Sequence, residues 1–184
     1  MRIIIGIPFI VALSAVVIGL SDPARGEFRN PFWISRAGHD TGAHDVAVPK
    51  SGGNAALVWE EVGTPKQIKG RTLSPTNVLA PIFRLSRRNP EAFQPHVAMN
   101  GDGDAHYVWN EAAGETKTRK LSAEGLLEPT LDVSGLTYPS QITVNDEGRA
   151  VFVGGSLLRA IETRTLFSDG TLGPKSPFRK GLSG

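Results

Sequence analysis

The sequence predicts an all-β protein that contains three copies of one four-stranded unit. The pattern is repeated at residues 44–90, 91–137 and 138–184, and a repeat of about 45–50 residues is typical of stacked supersecondary units. No stretch of the repeats has a helical period, and 21 glycines and 13 prolines suit a fold with many turns. The positions that correspond between the copies are Ala55, Ala105 and Ala150; Val58, Val108 and Val153; Arg71, Arg119 and Arg164; Pro81, Pro129 and Pro174.

The first two strands of each copy form a predicted hairpin. In the middle copy they cover residues 97–99 and 105–110, and the turn between them is rich in glycine, asparagine and aspartate, which tolerate positive φ. The second strand is apolar at consecutive positions, Tyr107, Val108 and Trp109, so we expect both of its faces to be buried. The equivalent strands are residues 46–48 and 55–60 in the first copy, and 142–144 and 150–155 in the third.

The third and fourth strands complete the unit. Third strands are predicted at residues 69–74, 118–122 and 163–167, and each fourth strand begins at the recurrent proline, as at Pro81. Four antiparallel strands, covered on both faces by like neighbours, form the blade of a β-propeller. An open β-solenoid or an irregular sandwich is the alternative. We favour a partial β-propeller of three four-stranded antiparallel blades, plus an orphan N-terminal strand.

The sequence predicts a signal peptide at residues 1–26. Arg2 gives the start a positive charge, residues 3–20 are an apolar run, and Ala24 and Gly26 are small residues of the kind found at signal cleavage sites. The alternative is an uncleaved membrane anchor, because a helical run of this length nearly spans a hydrocarbon core of ~30 Å. In both cases we expect the repeats outside the cytoplasm, in a secreted, periplasmic or cell-envelope protein.

Residues 27–43 are predicted to hold the orphan strand and a connection. The stretch at residues 31–35 resembles the fourth strand of the first copy at residues 81–86. Propellers commonly close their ring with such a strand, which completes the last blade from the other terminus. Here the third copy has a fourth strand of its own, so the orphan strand has no obvious blade to complete.

The motifs of the repeat resemble a known family. The succession P-x-V-A-V, G-x-A-x-x-V-W, R-x-L-S and G-x-L-x-P, spread over residues 31–178, resembles the propeller repeat of roughly 50 residues in secreted bacterial proteins. That repeat is related in style to the Asp-box propellers of sialidases. A complete Asp-box is absent, although residues 168–171 approximate it, and the sialidase arginine triad and Tyr/Glu pair cannot be placed. The resemblance therefore implies the fold and not the sialidase reaction.

Composition excludes several classes of function. The 184 residues carry 20 basic and 18 acidic side chains, which leaves no basic footprint for nucleic acid. The chain has no cysteine, so a disulfide, a thiol nucleophile and a zinc–thiolate site are excluded. We expect no cofactor, and no membrane contact beyond the N-terminal segment.

Two stretches offer metal ligands, and a simpler interpretation is favoured for both. Positions 1, 3, 5 and 12 of a calcium loop match Asn100, Asp102, Asp104 and Glu111. The sixth position is Ala105 rather than glycine and continues as a predicted strand, so a plain hairpin is favoured. The segment from His39 to Asp45 holds two His-Asp pairs, which could bind zinc or act as a base, but no third ligand is evident nearby. We predict no metal site.

Recurrent large side chains have two interpretations. Trp59 and Trp109 end the second strands at equivalent positions, where they could stack on sugars, but we favour packing between blades. The recurrent arginines could hold a substrate, but we favour hydrogen bonds between blades.

Strand alternation predicts one face that could bind a ligand. The loops between second and third strands lie at the same end of the blades as the connections between copies. No acid–base pair stands out on this face, so no catalytic residue is assigned. The candidate binding residues on it are His39, His44, Glu61, Arg87, Arg88, Glu111 and Tyr138.

Two hypotheses for function follow. The leading one is a secreted or envelope-exposed binding or scaffold module without catalysis, whose partner is an unknown protein or glycan. The alternative is a fragment of a propeller glycosidase or lyase that acts on extracellular glycans. A glycosidase needs two opposed carboxylates about 5–10 Å apart, for which Glu61 and Glu111 are the candidates at the rim.

Three blades leave a ring unfinished, because closed propellers typically have four to eight. We expect the outer faces of the first and third blades to stay apolar and exposed, through Leu57, Val58, Phe152 and Val153. The chain is therefore expected to be a piece of a longer propeller, or to complete its ring by self-association.

Overall fold

The computed structural model describes residues 32–36, 38–112, 114–155 and 161–177. Within these ranges the regular elements are β-strands, which confirms the predicted all-β class. The predicted signal or anchor at residues 1–26 lies outside the described residues. In chain order the strands are β1 (Thr41–Ala47), β2 (Ala55–Glu61), β3 (Gln67–Leu73), β4 (Phe83–Arg84), β5 (Ala92–Met99), β6 (Ala105–Glu111), β7 (Glu115–Leu121), β8 (Leu131–Asp132), β9 (Thr137–Val144), β10 (Ala150–Gly155), β11 (Ile161–Leu166) and β12 (Ser176–Pro177).

The strands form three four-stranded antiparallel sheets, one for each copy, as the repeat predicts. Their orders are β1-β2-β3-β4, β5-β6-β7-β8 and β9-β10-β11-β12. Each strand therefore pairs only with its neighbours in the chain. In the second sheet, for example, Tyr107 on β6 opposes Val97 on β5 and Arg119 on β7.

The first strand of each sheet is longer than the alternation of the sequence predicts. β1, β5 and β9 each begin five residues before the predicted starts. Each is interrupted by a shift of register, which in β5 lies between Phe93 and His96. The backbone has positive φ at Gln94 and Tyr138, each followed by a proline. These bulges break the period of two, which hides the first half of the strand from a search for alternation.

The fourth strands are shorter than predicted. β4, β8 and β12 span two residues each, and each begins two residues after the recurrent proline. The prediction that Pro81 begins this strand was therefore wrong. Just before the proline, an isolated bridge pairs Leu79 with Leu73, and the other two sheets repeat it. Proline has no N–H to donate, so the pairing stops between this bridge and the short strand.

The first and second sheets enclose one hydrophobic core. The ring of Phe83 meets the ring of Tyr107 edge-on, with 5.9 Å between the centroids. Trp59 and Trp109 are only 3% and 0% exposed, so the predicted burial of both tryptophans is confirmed. The buried members of this core are Ala56, Val58, Ile68, Leu85, Ala92, Val97, Ala105, Tyr107, Trp109 and Leu121.

The second and third sheets enclose another core, and the two cores correct one prediction. Leu57, Val58 and Phe152 were expected to be exposed, but they are 7%, 1% and 0% exposed, and Val153 is half-buried. Val58 and Phe152 belong to the cores, because both lie on the faces turned towards the second sheet. The buried members of the second core are Val108, Val133, Leu136, Ile142, Ala150, Phe152 and Leu166.

Recurrent arginines bind backbone carbonyls of the preceding segment. Nη1 of Arg119 donates to the carbonyl oxygens of Arg84 and Leu85, at 3.3 and 3.5 Å, and so ties the second sheet to the first. Nη1 of Arg71 donates in the same way to the carbonyl of Ile34, at 2.8 Å. Ile34 therefore lies where the fourth strand of a preceding sheet would lie, although residues 32–36 form no strand. The predicted role in hydrogen bonding between sheets is confirmed for Arg119.

Candidate functional site

One end of the sheets carries the connections between copies together with the loops between second and third strands. The N–H of Val62 donates to the carbonyl of Asp40, and the N–H of Ala112 donates to the carbonyl of Glu91, both at 2.9 Å. Each bond joins the end of a second strand to the connection that enters its first strand. The predicted common face is confirmed. We call it the connection face, the end at which β1, β5 and β9 begin.

Four of the predicted binding residues do not line the cleft of this face that His44 and Tyr138 share. Nδ1 of His39 lies 4.0 Å from Oε2 of Glu61, whose Oε1 lies 3.6 Å from Nζ of Lys69. Arg87 and Arg88 are exposed in the link that follows β4. These contacts make Glu61 the partner of Lys69 and a neighbour of the His39 ring.

Glu111, predicted at the rim, is instead buried. Its side chain is 2% exposed, and its Oε1 accepts a hydrogen bond from Nε1 of Trp109 at 3.2 Å. β6 runs one residue further than predicted, so the carboxylate ends the strand inside the protein. Glu111 cannot act as the rim carboxylate that a glycosidase needs.

Two predicted residues, His44 and Tyr138, line one cleft of about 390 Å³ on the connection face. The walls come from the beginnings of β1, β5 and β9, so the cleft lies where the three copies converge. Tyr138 is 49% exposed there. The described residues that line the cleft are Ala43, His44, Gln94, Pro95, His96, Tyr138 and Pro139.

A carboxylate beside this cleft joins the first two sheets and pairs with a histidine. Oδ2 of Asp45 accepts a hydrogen bond from the backbone of Val97 at 3.1 Å and lies 3.5 Å from Nδ1 of His96. The carboxylate therefore lies beside one ring nitrogen of His96, and His96 itself lines the cleft. Sequence patterns did not predict His96 as a site residue. The repeat contains the signal, because His96 precedes Val97 as Asp45 precedes Val46.

The opposite end of the sheets carries the hairpin turns, and the calcium loop is not formed there. Oδ1 of Asn100 accepts from the N–H of Asp104 at 2.8 Å, and Asp104 also lies 2.8 Å from Nζ of Lys120. Glu111 ends the strand that follows, about 20 Å from the turn at ~3.3 Å per residue. The hairpin interpretation is confirmed.

These turns are tied to one another. The hydroxyl of Ser51 donates to the carbonyl of Gly101, and the N–H of Gly101 donates to Oδ1 of Asp146 at 2.9 Å. The turns of all three copies therefore form one hydrogen-bonded row.

A second cleft, of about 230 Å³, opens at the turn end between the second and third sheets. Its wall includes His106, which is 3% exposed and whose ring nitrogens find no hydrogen-bond partner among the described residues. Burial, with a smaller contribution from Lys120, lowers the pKa of His106 from 6.5 to about 4, while Asp104 acts in the opposite direction. The imidazole is therefore neutral at pH 7.

Within the described ranges, no three histidine, aspartate or glutamate side chains are placed to share a metal ion. In the same part of the chain, no helix is long and apolar enough to cross a membrane. Comparison with known proteins assigns no family: no protein-family model matches the chain, and no curated protein matches it. The class of protein is thus defined by its fold, in which the described residues form three repeated four-stranded antiparallel sheets.

Proposed function

We propose that this protein is an exported, non-catalytic binding module of the β-propeller type, and that it binds a glycan in the cleft of the connection face. The observation that carries the proposal is the convergence of His44, His96 and Tyr138, one from each copy, on a single cleft. Export is inferred from the apolar run at residues 3–20.

The packing of the sheets supports the propeller arrangement. Each sheet is a four-stranded meander, and the bond from Val97 to Asp45 places the first strands of successive sheets side by side. In a propeller the first strands surround the central axis. The cleft between β1, β5 and β9 then lies at the mouth of that axis, a common place for a ligand.

The chemistry of the cleft suits a carbohydrate. The exposed ring of Tyr138 offers an apolar surface with a polar hydroxyl, of the kind on which the C–H face of a sugar can stack. Nε2 of His44, Nε2 of His96 and Nε2 of Gln94, whose Oε1 accepts from Asn110, offer polar groups to hydroxyl groups. A few polar groups on a largely apolar wall are typical of small-molecule sites.

A lyase is the second candidate, and the pair of Asp45 with His96 favours it. An imidazole oriented by a carboxylate can abstract a proton, and Tyr138 lines the same cleft. The described lining contains no carboxylate pair of the kind a glycosidase uses. A lyase would remove the C5 proton of a uronic-acid residue and break its C4–O bond, with Tyr138 available to protonate the departing oxygen. The C4–C5 double bond of the product absorbs in the ultraviolet, and this absorbance reports the reaction.

The proposal is tested by titrating neutral and uronic-acid oligosaccharides into the protein in a calorimeter. Tyr138→Ala should weaken binding about tenfold, the equivalent of ~1.4 kcal/mol, whereas Tyr138→Phe should keep most of the affinity because the ring remains. Val78→Ala, at an exposed residue of the link between β3 and β4, is the matched control. If neither Tyr138→Ala nor His96→Ala changed the affinity for the oligosaccharide, the assignment of this cleft as the binding site would be contradicted. Turnover that is lost in His96→Ala would favour the lyase instead.

A further inference from the structure

We infer that the first sheet of one chain packs against the third sheet of a second chain, and that two chains close a ring of six sheets. The inference rests on the propeller arrangement proposed above and is independent of what the cleft binds. It follows from a comparison of equivalent residues in the three sheets.

The first strand of the first sheet lacks the cover that its counterparts have. Val97 on β5 and Ile142 on β9 are 6% and 8% exposed, because each belongs to the core shared with the preceding sheet. Their counterpart on β1, Val46, is 56% exposed, and Val48 on the same face is 62% exposed. The inner part of this face of the first sheet is therefore apolar, like the faces that pack against a preceding sheet in the other two copies. Among the described residues, no sheet covers it.

On its opposite face, the third sheet has no covering sheet among the described residues. Ile68 on β3 and Thr116 on β7 are 0% and 3% exposed at equivalent positions of the third strands. Ile68 lies in the core shared with the second sheet, and the hydroxyl of Thr116 donates to the carbonyl of Leu136, just before the third sheet, at 2.8 Å. Their counterpart Ile161 on β11 is 54% exposed.

These two surfaces are the two halves of an interface that the chain already forms twice. In both internal interfaces, the face that contains the counterpart of Ile161 packs on the face that contains the counterpart of Val46. The face of the third sheet therefore carries an exposed apolar residue, Ile161, at the position that packs on the next sheet in both internal interfaces. Such a contact with the first sheet of another copy joins unlike surfaces, and two of them related by a two-fold axis close a ring. Six sheets lie within the range of four to eight seen in closed propellers.

The segment around Ile34 limits how the second copy can approach. Ile34 already lies over the outer part of the first sheet, because its carbonyl accepts a hydrogen bond from Arg71. In the second sheet, the equivalent Arg119 makes this bond to Arg84, on the fourth strand of the first sheet. The open part is the inner strand β1 with Val46, together with Val48 just after the strand. A second copy must therefore contact the first sheet mainly through its inner strands. The segment around Ile34 then lies beside this contact between the two chains.

The test is the mass of the full chain in solution by light scattering across a concentration series. We expect twice the chain mass for the wild type. Val46→Asp and Ile161→Asp should each yield a monomer, because each places a carboxylate in both interfaces of the ring. Val78→Asp, at a residue that is 65% exposed but lies in the link between β3 and β4, should leave the pair intact. Val46 and Ile161 are exposed in the single chain, so both variants should still fold. Urea unfolding checks this by a cooperative transition in each variant.

Mixing the two variants separates this interface from any other mode of pairing. In a mixed pair, one interface contains both substitutions and the other contains neither. The mixture should therefore recover a dimer that neither variant forms alone. Pairing through a two-fold contact of identical surfaces, or through the apolar run at residues 3–20, would not show this rescue.

A monomer at every concentration would overturn the inference, and so would a dimer that both aspartates leave unchanged. A ladder of species heavier than a pair would contradict the closed ring. Ligand titration reports on the cleft separately, so failure of the pairing and failure of the glycan proposal are distinguishable.

Discussion

The indole nitrogen of Trp109 donates a hydrogen bond of 3.2 Å to the carboxylate of Glu111, and both side chains are buried. The pair fixes the end of β6 in the core between the first two sheets. Trp109→Ala should lower the free energy of unfolding by about 3–5 kcal/mol, because it leaves a cavity. Trp109→Phe should lower it by about 1–3 kcal/mol, because it removes the donor from a buried carboxylate.

Urea unfolding of both variants measures these losses. Trp109→Phe combined with Glu111→Gln is the informative double variant, since the neutral amide no longer requires the indole donor. If Trp109→Phe were as stable as the wild type, the hydrogen bond would have no energetic role.

The neutral state of His106 should make stability depend on pH. Because its pKa is lowered to about 4 in the folded protein and is near 6.5 in the unfolded chain, the stabilisation is complete above pH 6.5. It should be lost as the pH falls from 6.5 to about 4, by up to about 3 kcal/mol. Asp104, whose pKa is lowered by Lys120 and Ala123 against the effect of burial, contributes only below this window.

Urea unfolding of wild type and His106→Leu at several pH values gives the free energy of unfolding of each. The difference between the two pH profiles is the contribution of His106. His106→Leu should lose the slope between pH 6.5 and 4, while His44→Ala, at an exposed histidine, should keep it. Parallel pH profiles for wild type and His106→Leu would contradict the prediction.

Gly154 occupies the position that holds tryptophan in the other two copies, and we expect it not to tolerate a methyl group. A Cβ there would lie 2.9 Å from Cγ of Leu136 and 2.9 Å from the carbonyl oxygen of Thr137. Gly154→Ala should therefore destabilise by about 1–3 kcal/mol. Gly155→Ala is the matched control, because no atom lies within 4 Å of its Cβ position. Equal melting temperatures for the two variants would show that the structure yields at Leu136.

The hairpin turn at residues 100–104 should bind no calcium. Asp102 is exposed, so Asp102→Asn should change stability by less than about 0.5 kcal/mol. Asp104→Asn should cost about 1 kcal/mol, because Asp104 pairs with Lys120 and accepts from the N–H of Ala123. Calorimetric melting with and without calcium checks both. A rise in the melting temperature with calcium, abolished by Asp102→Asn, would overturn the hairpin.

The sequence predicted the parts of the fold that repeat locally. The second strands, their turns and the burial of Trp59 and Trp109 followed from periodicity and turn chemistry. The bulges at Gln94 and Tyr138 did not, because an inserted residue destroys the alternation used to find a strand.

The candidate site was predictable only in part for the same reason. Its face and two of its residues, His44 and Tyr138, follow from strand direction. The repeat places His96 at the position of Asp45, but the contact between these two side chains joins different sheets, and local sequence does not encode such a contact. Glu111 is buried because β6 extends one residue beyond its predicted end. The alternation of apolar and polar residues does not predict where a strand ends to within one residue.

The middle sheet is the only one of the three that has a core on each of its faces, among the described residues. In a linear array of this kind, the free energy of folding is close to a sum over units and the contacts between adjacent units. Loss of the second sheet removes both contact terms at once, whereas loss of a terminal sheet removes one. In the monomeric Val46→Asp variant, in which the ring is open, the outer two sheets should therefore open first in native-state hydrogen exchange. A destabilising substitution at Tyr107 or Val108 should lower the protection of amides in both the first and the third sheet, although the substituted residue lies in the second.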